Sequence, residues 1–480
     1  MPAREPRLTA ARLAALFPYA VAVYFPLQVL LRVLLSGNLE PDEAEMVQNA
    51  HWALGYGNSQ PPLYQWLVMA VHAAVPYWPL AIALAKNTLL AATYLLAYDA
   101  GRRATGDRVG GALFAGGLLL VPQIVWESQV ALSHSVLATA AAAAVIHALV
   151  LVLERPELRR YAWLGLAAGA GLYAKYNFTI FVGLLTVAGL SLPDLRRRLD
   201  GRGLLLALGV TAVLILPHAL WALNHVAEST ARLARLARPG PYAGLDLPYL
   251  GIDGLLDLLV DMASATLPLI AVWFLVRRLS PPLAPPAEGH VATELRRLLA
   301  RMLLLGAVAV PVGILAVDAH SFSVRYLTPI LVALPLTLVL ARPQRDLGAR
   351  HFLLTGLAIA VLITIAWPQT TLFGRHRFAV PYAEFAADIT ALAPPPLAIA
   401  GDMDVLTENL VQHIPGAVAF RPEDAPPRVL LAWTRDEAAA RTLLGAGYTA
   451  EGPERVLTRR HYYFSGNTTA LHLQLFRRDP

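Results

Sequence analysis

Apolar runs of about twenty residues recur along most of this 480-residue chain, and they constrain its fold more than any other feature. A helix of that length crosses the ~30 Å hydrocarbon core of a bilayer. Composition agrees, because 56% of the residues are hydrophobic and only 15% are charged, whereas roughly 25% is usual in soluble domains. The chain is therefore predicted to be an all-α polytopic membrane protein.

The hydropathy pattern predicts about eleven transmembrane helices. No small-residue cleavage site follows the first of them, so it is predicted to be retained. Two further segments, 41–54 and 62–75, are too polar or too short to span, and amphipathic helices on the membrane surface are expected there. The predicted spans lie at about residues 13–35, 78–98, 108–126, 130–153, 161–175, 177–192, 203–223, 255–276, 301–317, 326–341 and 351–367.

The arginines in the loops between these spans predict an orientation. They fall on the same side as the N-terminus, in the loops near residues 102–108, 154–160, 194–202, 277–301 and 342–350. The positive-inside rule then places the N-terminus in the cytoplasm. On the opposite side lie the acidic loop 36–77, the turns at Glu127, Lys175 and His320–Arg325, and the C-terminal tail.

From about residue 378 the pattern alternates between helix and strand, which indicates a small α/β domain outside the membrane. We therefore expect a transmembrane domain over residues 1–370, including loop 36–77, and an extracytoplasmic α/β domain over residues 371–480. The absence of cysteine excludes disulfides and cysteine metal sites. The net charge of +6 comes from arginines in short loops, so no nucleic-acid partner is predicted.

An adjacent acidic pair, Asp42 and Glu43, directly follows the first predicted span and is the first candidate for a functional site. Carboxylates at the mouth of a span cost free energy unless they face water, a partner or a substrate. A Gln60-Pro61-Pro62-Leu63-Tyr64 turn follows about twenty residues later. The structural alternative is that one carboxylate caps the helix beginning near Pro41, since acids favour a first turn.

This order of motifs resembles the GT-C glycosyltransferases, in particular the bacterial branch of the dolichyl-phosphate-mannose–protein mannosyltransferase family, which includes the lipid A aminoarabinose transferase. The resemblance covers about residues 10–340. It implies an inverting hexosyl- or pentosyltransferase that uses a polyprenyl-phosphate-linked sugar at the outer face of the bacterial inner membrane. It also implies Asp42 as the catalytic base, with Glu43 orienting the acceptor or helping to hold a cation.

Two cationic positions extend the resemblance. Lys175, in Gly171-Leu172-Tyr173-Ala174-Lys175-Tyr176, matches a family lysine suited to the donor phosphate. Its alternative role is to extend to the lipid headgroups. Arg325-Tyr326 resembles the Arg-Tyr motif at the start of a late span, and an arginine fork binds phosphate oxygens bidentately. Its alternative is a structural pair with Asp318.

The family often carries a second acid near the outer start of the fourth span, and here the chain departs from that pattern. Either Glu127 supplies the acid from a shifted position, or His134 takes over its role. Gln60, Tyr64 and His320 complete the predicted substrate pocket. His51, His320 and the carboxylates could together bind a divalent cation, but no metal-ligand spacing of the HxxxH kind supports one. Neither a metal nor another cofactor is therefore predicted to be required.

The alternatives to a transferase are a lipid or sugar transporter and a non-catalytic assembly partner. A transporter would place its polar residues near the bilayer midplane between repeats, whereas here they gather at one face and no inverted repeat is seen. The predicted partners are a polyprenyl-phosphate sugar, membrane lipids and an envelope acceptor. The candidate acceptors are lipid A or lipopolysaccharide, a glycolipid, a polysaccharide and a protein. The apolar approach and the interfacial helices favour a lipid or glycan embedded in the outer leaflet.

Overall fold

A computed structural model of the chain describes residues 9–56, 60–131, 133–236, 252–278, 289–341, 346–374, 377–445 and 447–479. Its helices are α1 (Ala10–Leu35), α2 (Pro41–Gln48), α3 (Leu63–Ala74), α4 (Trp78–Thr105), α5 (Arg108–Leu118), α6 (Ser128–Val130), α7 (Ser133–Glu154), α8 (Leu158–Leu172), α9 (Phe178–Leu190), α10 (Pro193–Arg198), α11 (Gly201–Asn224), α12 (Val226–Thr230), α13 (Ile252–Arg278), α14 (His290–Ala316), α15 (Thr328–Leu331), α16 (Ala333–Ala341), α17 (Asp346–Phe373), α18 (Tyr382–Leu392), α19 (Asp404–His413) and α20 (Glu437–Leu444). Its strands are β1 (Leu397–Gly401), β2 (Ala417–Ala419), β3 (Arg428–Trp433), β4 (Tyr448–Ala450), β5 (Arg455–Arg460) and β6 (Thr468–Arg478).

The predicted membrane class is confirmed. Over the described residues, seven helices are long and apolar enough to span a bilayer, namely α1, α4, α7, α11, α13, α14 and α17. A further apolar pair, α5 and the segment Gln123–Val130, is bent by 76°, the geometry of either a broken span or a re-entrant loop. The predicted spans at 161–175, 177–192 and 326–341 also fall on helices, but these are short. The longest, α8, has 15 residues and is about 22 Å long.

The helices predicted at 41–54 and 62–75 are observed as α2 and α3, but α2 is shorter than predicted and ends at Gln48. Their position on the membrane surface stays a prediction. The chain divides into two compact units. The first contains the described residues up to Leu27 together with Trp52–Leu67 and Lys86–Ile363. The second contains Gln28–His51, Val68–Ala85 and the chain from Thr364 onwards.

The alanine-rich helix α7 is the core of the first unit. Its most apolar window is 89% buried, whereas only 17% of the corresponding window of α11 is buried. Helix α8 packs against both α7 and α11. Gly165 of α8 permits this approach, because a Cβ there would collide with the backbone of Ala207 in α11. Small residues let membrane helices pack closely, while the outward leucines of α11 are suited to lipid contact.

A six-stranded sheet organises the C-terminal part of the second unit, in the order β2-β1-β3-β6-β4 with β5 on β6. Strands β1, β2 and β3 are parallel, and β6 is antiparallel to β3, β4 and β5. Helices α18 and α19 cover one face, and α20 covers the other. The predicted α/β alternation is confirmed. The sequence after residue 460 also predicts a terminal hairpin-like pair of strands over 461–478. That prediction is wrong for the first strand, because the hairpin partner of β6 is β5, which ends at Arg460.

The loop that carries the acidic pair is bound to this α/β region inside the second unit. The Asn38 amide donates to the carbonyl oxygens of Phe378, at 3.1 Å, and Val380, at 2.8 Å. Asn409 of α19 closes a two-way pair with the backbone of Leu39, accepting its N–H at 2.8 Å and donating to its carbonyl at 3.0 Å. Helix α2 also packs on α19. The N-terminal acidic loop is thus anchored by residues near the end of the chain.

Candidate functional site

The predicted site residues fall into two sets, one in each compact unit. Asp42 and Glu43 belong to the second unit, and the predicted phosphate ligands and pocket residues belong to the first. Each set has its own local geometry.

Glu43 lies on the first turn of α2 and is 4% exposed. Arg32 approaches it bidentately, with Nη2 2.5 Å from Oε2 and Nε 3.2 Å from Oε1. The same carboxylate accepts the backbone N–H of Glu40 at 3.0 Å and so caps its own helix. Both the ion pair and the cap hold Glu43 in place. The capping alternative weighed from the sequence therefore does occur, and Glu43 supplies it.

Arg32 has further partners that make the arrangement rigid. Its guanidinium donates to the carbonyl oxygens of Ser36 and Asn38, at 2.7 Å each, and lies 4.2 Å from the centre of the Phe378 ring. A planar guanidinium satisfies several acceptors at once in this way. The buried charge of Glu43 is compensated, and the first turn of α2 is fixed in position.

Asp42 is the neighbour of this anchored residue and is half-buried. Successive residues on a helix point about 100° apart, because one turn holds 3.6 residues. Asp42 therefore lies on a different side of α2 from Glu43. A carboxylate that retains solvent access on a rigid turn has the features required of a general base.

Lys175 lies in the turn between α8 and α9 and is only 8% exposed. Its Nζ donates to the hydroxyl of Ser135, near the start of α7, at 2.6 Å. The same nitrogen lies 5.7 Å from the centre of the Tyr326 ring. Lys175 is therefore a buried cation oriented by a hydroxyl and an aromatic ring.

Arg325 and Tyr326 lie in the short 3-10 helix Val324–Tyr326. Arg325 is exposed, and its Cζ lies 5.7 Å from the Tyr326 ring centre, the same separation as for Lys175. The side-chain amide of Asn177 donates to the Tyr326 carbonyl and so connects this helix to the Lys175 turn. Both cations lie within the range of a cation–π contact with one ring. In the described part of the chain, no ion pair joins Arg325 to Asp318.

Two of the remaining pocket residues, Tyr64 and His134, contact each other next to Ser135, the hydrogen-bond partner of Lys175. The Tyr64 and His134 rings have their centres 5.4 Å apart, and His134 directly precedes Ser135. Tyr64, Gln60 and His134 are all buried. Glu127, in contrast, is exposed at the end of the π-helical turn Gln123–Glu127. The structure thus associates His134, not Glu127, with the Lys175 turn.

An acidic ladder on α13, formed by Asp253, Asp257 and Asp261, was not identified from the sequence. Asp253 accepts from His320 at 2.9 Å, and Asp257 and Asp261 each accept a backbone N–H, from Phe322 and Val324 at 3.1 Å. The spacing of four residues places all three carboxylates on one helix face. That spacing was the available signal.

The ladder holds the segment that leads into Arg325. A Cβ at Gly254 would collide with the carbonyl oxygen of Ala319, so glycine is what permits α13 to approach this segment. His320, predicted as a pocket residue, is bound to the ladder, and its Nε2 lies 3.7 Å from Asp318. Its observed contacts are those of a residue that fixes the loop.

His218 is a second residue that sequence reasoning missed. It lies in α11. Its Nε2 is hydrogen-bonded to the Tyr176 hydroxyl at 2.8 Å, and its Nδ1 lies 2.6 Å from the Leu54 carbonyl oxygen, which can only accept. The ring also packs against Tyr173, which makes a T-shaped contact with Trp66. Aromatic side chains thus surround the Lys175 turn. Across the described residues, no group of three or more His, Asp or Glu side chains is arranged to hold a metal ion.

Comparison with known proteins supplies a chemical context for this arrangement. The family model described as dolichyl-phosphate-mannose-protein mannosyltransferase matches residues 59–221. The lipopolysaccharide core galacturonosyltransferase RgtB of Rhizobium johnstonii is 31% identical, over 88% of this chain and 88% of RgtB. The lipopolysaccharide core galacturonosyltransferase RgtA of the same organism is also 31% identical, over 95% of this chain and 91% of RgtA.

Among solved structures, the crystal structure of ArnT from Cupriavidus metallidurans bound to undecaprenyl phosphate has a similar fold. The TM-score is 0.61, with 95% of this chain and 97% of the ArnT chain covered at 14% sequence identity. At that identity the likeness concerns the fold. Both Rhizobium proteins are named as transferases, and the transporter alternative has no counterpart among these relatives.

Proposed function

This chain belongs to the GT-C superfamily of membrane glycosyltransferases, and from that premise we propose that it transfers a sugar from a polyprenyl-phosphate donor to the lipopolysaccharide core. Two relatives at 31% identity, both named lipopolysaccharide core galacturonosyltransferases, support this acceptor and support galacturonate as the sugar. The ArnT structure with undecaprenyl phosphate supports the class of donor.

The observation that carries the proposal is the position of Lys175 and Arg325 at one tyrosine ring, each 5.7 Å from its centre. When the bond between the anomeric carbon and the phosphate oxygen breaks, the lipid phosphate leaves with the bonding electrons. Two cations then stabilise the added negative charge. The Asn177 contact and the α13 ladder hold the backbone that carries Arg325 and Tyr326 in place next to the Lys175 turn.

The acceptor hydroxyl must lose its proton as it forms the new glycosidic bond. We assign Asp42 as the base that accepts this proton. The acceptor oxygen then displaces the lipid phosphate in a single step, which inverts the configuration at the anomeric carbon. Glu43 acts through its neighbour, because Arg32 and the helix cap occupy its oxygens. We further propose that the N-terminus is cytoplasmic, that the reaction occurs at the periplasmic face of the inner membrane, and that residues 371–480 form a periplasmic domain.

The Asp42→Asn variant tests the proposal. Loss of a general base lowers a rate by about 10²–10⁴-fold, so we expect kcat to fall at least ~100-fold with the melting temperature unchanged. The assay is transfer of labelled galacturonate from an undecaprenyl-phosphate donor to purified lipopolysaccharide core. Asp424→Asn, an exposed position in the 3-10 helix Pro422–Asp424, is the matched control. Full activity of Asp42→Asn would remove Asp42 from the mechanism.

A cellular measurement tests the substrates. Cells that lack this protein should produce lipopolysaccharide core with a missing acidic sugar, detected by mass spectrometry. The wild-type gene should restore that sugar, and the Asp42→Asn gene should not. If the core is unchanged and a sugar is missing from another envelope glycan, the protein is still a glycosyltransferase, but its acceptor is that other glycan.

A further inference from the structure

A crevice of about 570 Å³ opens in the α/β region of the second unit. Its size falls within the ~300–1,000 Å³ typical of small-molecule sites. Met403, Thr434 and Arg435 line it. Met403 lies two residues after the end of β1, and Thr434 and Arg435 directly follow β3, which is parallel to β1. The crevice therefore lies at the carboxyl ends of these two strands.

The topology makes this position a recognised location for ligands. After β1 the chain enters α19, which packs on one face of the sheet, and after β3 it enters α20, which packs on the other. Neighbouring parallel strands whose helices leave to opposite faces create a switch point. In open α/β sheets, ligands bind in the crevice outside such a switch point.

The loop after β3 is fixed before any ligand arrives. One carboxylate oxygen of Asp402, Oδ2, accepts the backbone N–H groups of Thr434, Arg435 and Asp436 at 3.1, 3.0 and 3.3 Å. Hydrogen bonds to a charged group are the stronger kind. Thr434 and Arg435 are thereby held in position at the rim of the crevice.

The charge of the lining is one-sided. Arg377 and Arg435 both line the crevice and are exposed, and neither has an ion-pair partner among the residues that the structure describes. No carboxylate side chain is among the described lining residues. Arginine presents a planar fork that matches carboxylate and phosphate oxygens. The lining is therefore complementary to an anion.

The remaining lining is suited to a sugar ring. Thr468 and Thr469 supply hydroxyls, and the buried side chains of Tyr382 and Phe385 form part of the apolar wall. His461 bonds the Thr469 hydroxyl through Nε2 at 2.7 Å, and its buried Nδ1 has no hydrogen-bond partner within the described ranges. An orphaned buried nitrogen indicates a missing partner. A ligand hydroxyl would satisfy it.

We propose that this crevice binds an anionic saccharide, the carboxylate- or phosphate-bearing sugar of the acceptor glycan. This inference rests on the proposed function, since it identifies the sugar as part of the acceptor. The crevice would hold the glycan while another of its hydroxyls is glycosylated. It is a binding site distinct in composition from the Lys175–Arg325 pair.

The test uses the full-length protein in lipid nanodiscs and two matched pairs of probes, galacturonate with galactose and glucose 6-phosphate with glucose. Saturation-transfer NMR titrations should show that the protein prefers at least one anionic sugar to its neutral partner. The double variant Arg377→Gln/Arg435→Gln should weaken the binding of that anionic sugar at least ~10-fold, because two charge-assisted hydrogen bonds are lost. Neutral sugars should bind as before.

Two controls locate the effect. Arg455→Gln/Arg477→Gln removes the same charge from exposed positions on β5 and β6 outside the crevice, and it should leave binding unchanged. Lys175→Met should also leave it unchanged, which separates the crevice from the donor site. In transfer assays, the crevice variant should raise the acceptor KM and preserve kcat.

Equal affinity for charged and neutral sugars in both probe pairs would overturn the proposal. So would binding that is lost in Lys175→Met but kept in the crevice variant. Failure of the proposed function looks different, because the crevice would then bind anionic sugars in a protein that transfers none. Preference for glucose 6-phosphate over galacturonate would assign the anion as a phosphate, and the reverse would assign it as a carboxylate.

Discussion

The buried pair Arg32–Glu43 determines how the acidic motif should respond to substitution. Both side chains are about 5% exposed, so neither charge has water to compensate it. Removing one partner of a buried pair costs about 3–5 kcal/mol, whereas replacing both by apolar residues is often neutral. Stability and catalysis can therefore be separated at this position.

We expect Glu43→Ala to lower the stability by about 3 kcal/mol or more. The double variant Arg32→Met/Glu43→Met should recover most of that loss. The measurement is thermal unfolding of the purified protein, followed by tryptophan fluorescence, alongside the transfer assay. Recovery of activity together with stability supports a positioning role for Glu43. A stable but inactive double variant would instead give Glu43 a direct part in the reaction.

At the scale of elements, the acidic ladder on α13 makes one helix responsible for the position of Arg325. Asp261 fixes the backbone of Val324, the residue directly before Arg325. A hydrogen bond to a charged group contributes about 1.5–3 kcal/mol. Its loss should act on binding of the donor phosphate more than on the chemical step.

We expect Asp261→Ala to raise the donor KM by about three- to tenfold, with kcat nearly unchanged. Steady-state kinetics against the undecaprenyl-phosphate donor would measure the change. Asp318→Asn is the control, because Asp318 lies in the same segment with a φ of +48°, a conformation that asparagine tolerates. An unaltered donor KM in Asp261→Ala would show that the ladder does not position Arg325.

At the scale of the whole molecule, one buried acid connects stability to pH. Burial, together with the nearby charge of Asp404, raises the pKa of Glu408 from its usual 4.5 to about 7. The protonated form therefore stabilises the folded protein. That contribution is complete below pH about 4.5, declines as the pH rises, and is lost as the pH passes about 7.

The expected loss of stability between pH 5 and pH 8 is up to about 3 kcal/mol. Glu408→Gln, which mimics the protonated acid, should remove this part of the pH dependence. Melting temperatures measured across that range would test it. Glu423→Gln, at an exposed position, should behave like the wild type. A pH dependence unchanged in Glu408→Gln would exclude Glu408 as its source.

Much of this architecture could be predicted from local patterns. Hydropathy located the membrane helices, and the alternation after residue 378 located β1, α19, β3 and α20, because both signals depend on neighbouring residues. The segments 161–175, 177–192 and 326–341 were predicted as full spans, but their helices are short. Hydropathy does not separate them, since apolar turns have the same composition as the helices they join. The acidic ladder was not predicted, because its carboxylates lie in the first part of a helix whose remaining sequence is that of an ordinary span.

The candidate site was predictable in part. The sequence motifs singled out Lys175, Arg325 and Tyr326, and the structure brings these three together. Ser135, Asn177 and His218 could not be chosen in advance, because their roles depend on contacts between distant segments. The roles of Asp42 and Glu43 remain predictions, although the structure distinguishes their surroundings clearly.

The anchoring of the acidic loop has a consequence for biosynthesis. Leu39 and its partner Asn409 are 370 residues apart in the chain. When the first span and the loop leave the ribosome, the groups that hold the loop have not yet been translated. Contacts of such sequence separation form late. The acidic motif therefore reaches its final geometry only when nearly the whole protein has been made, so a prematurely terminated chain would be inserted but unable to act.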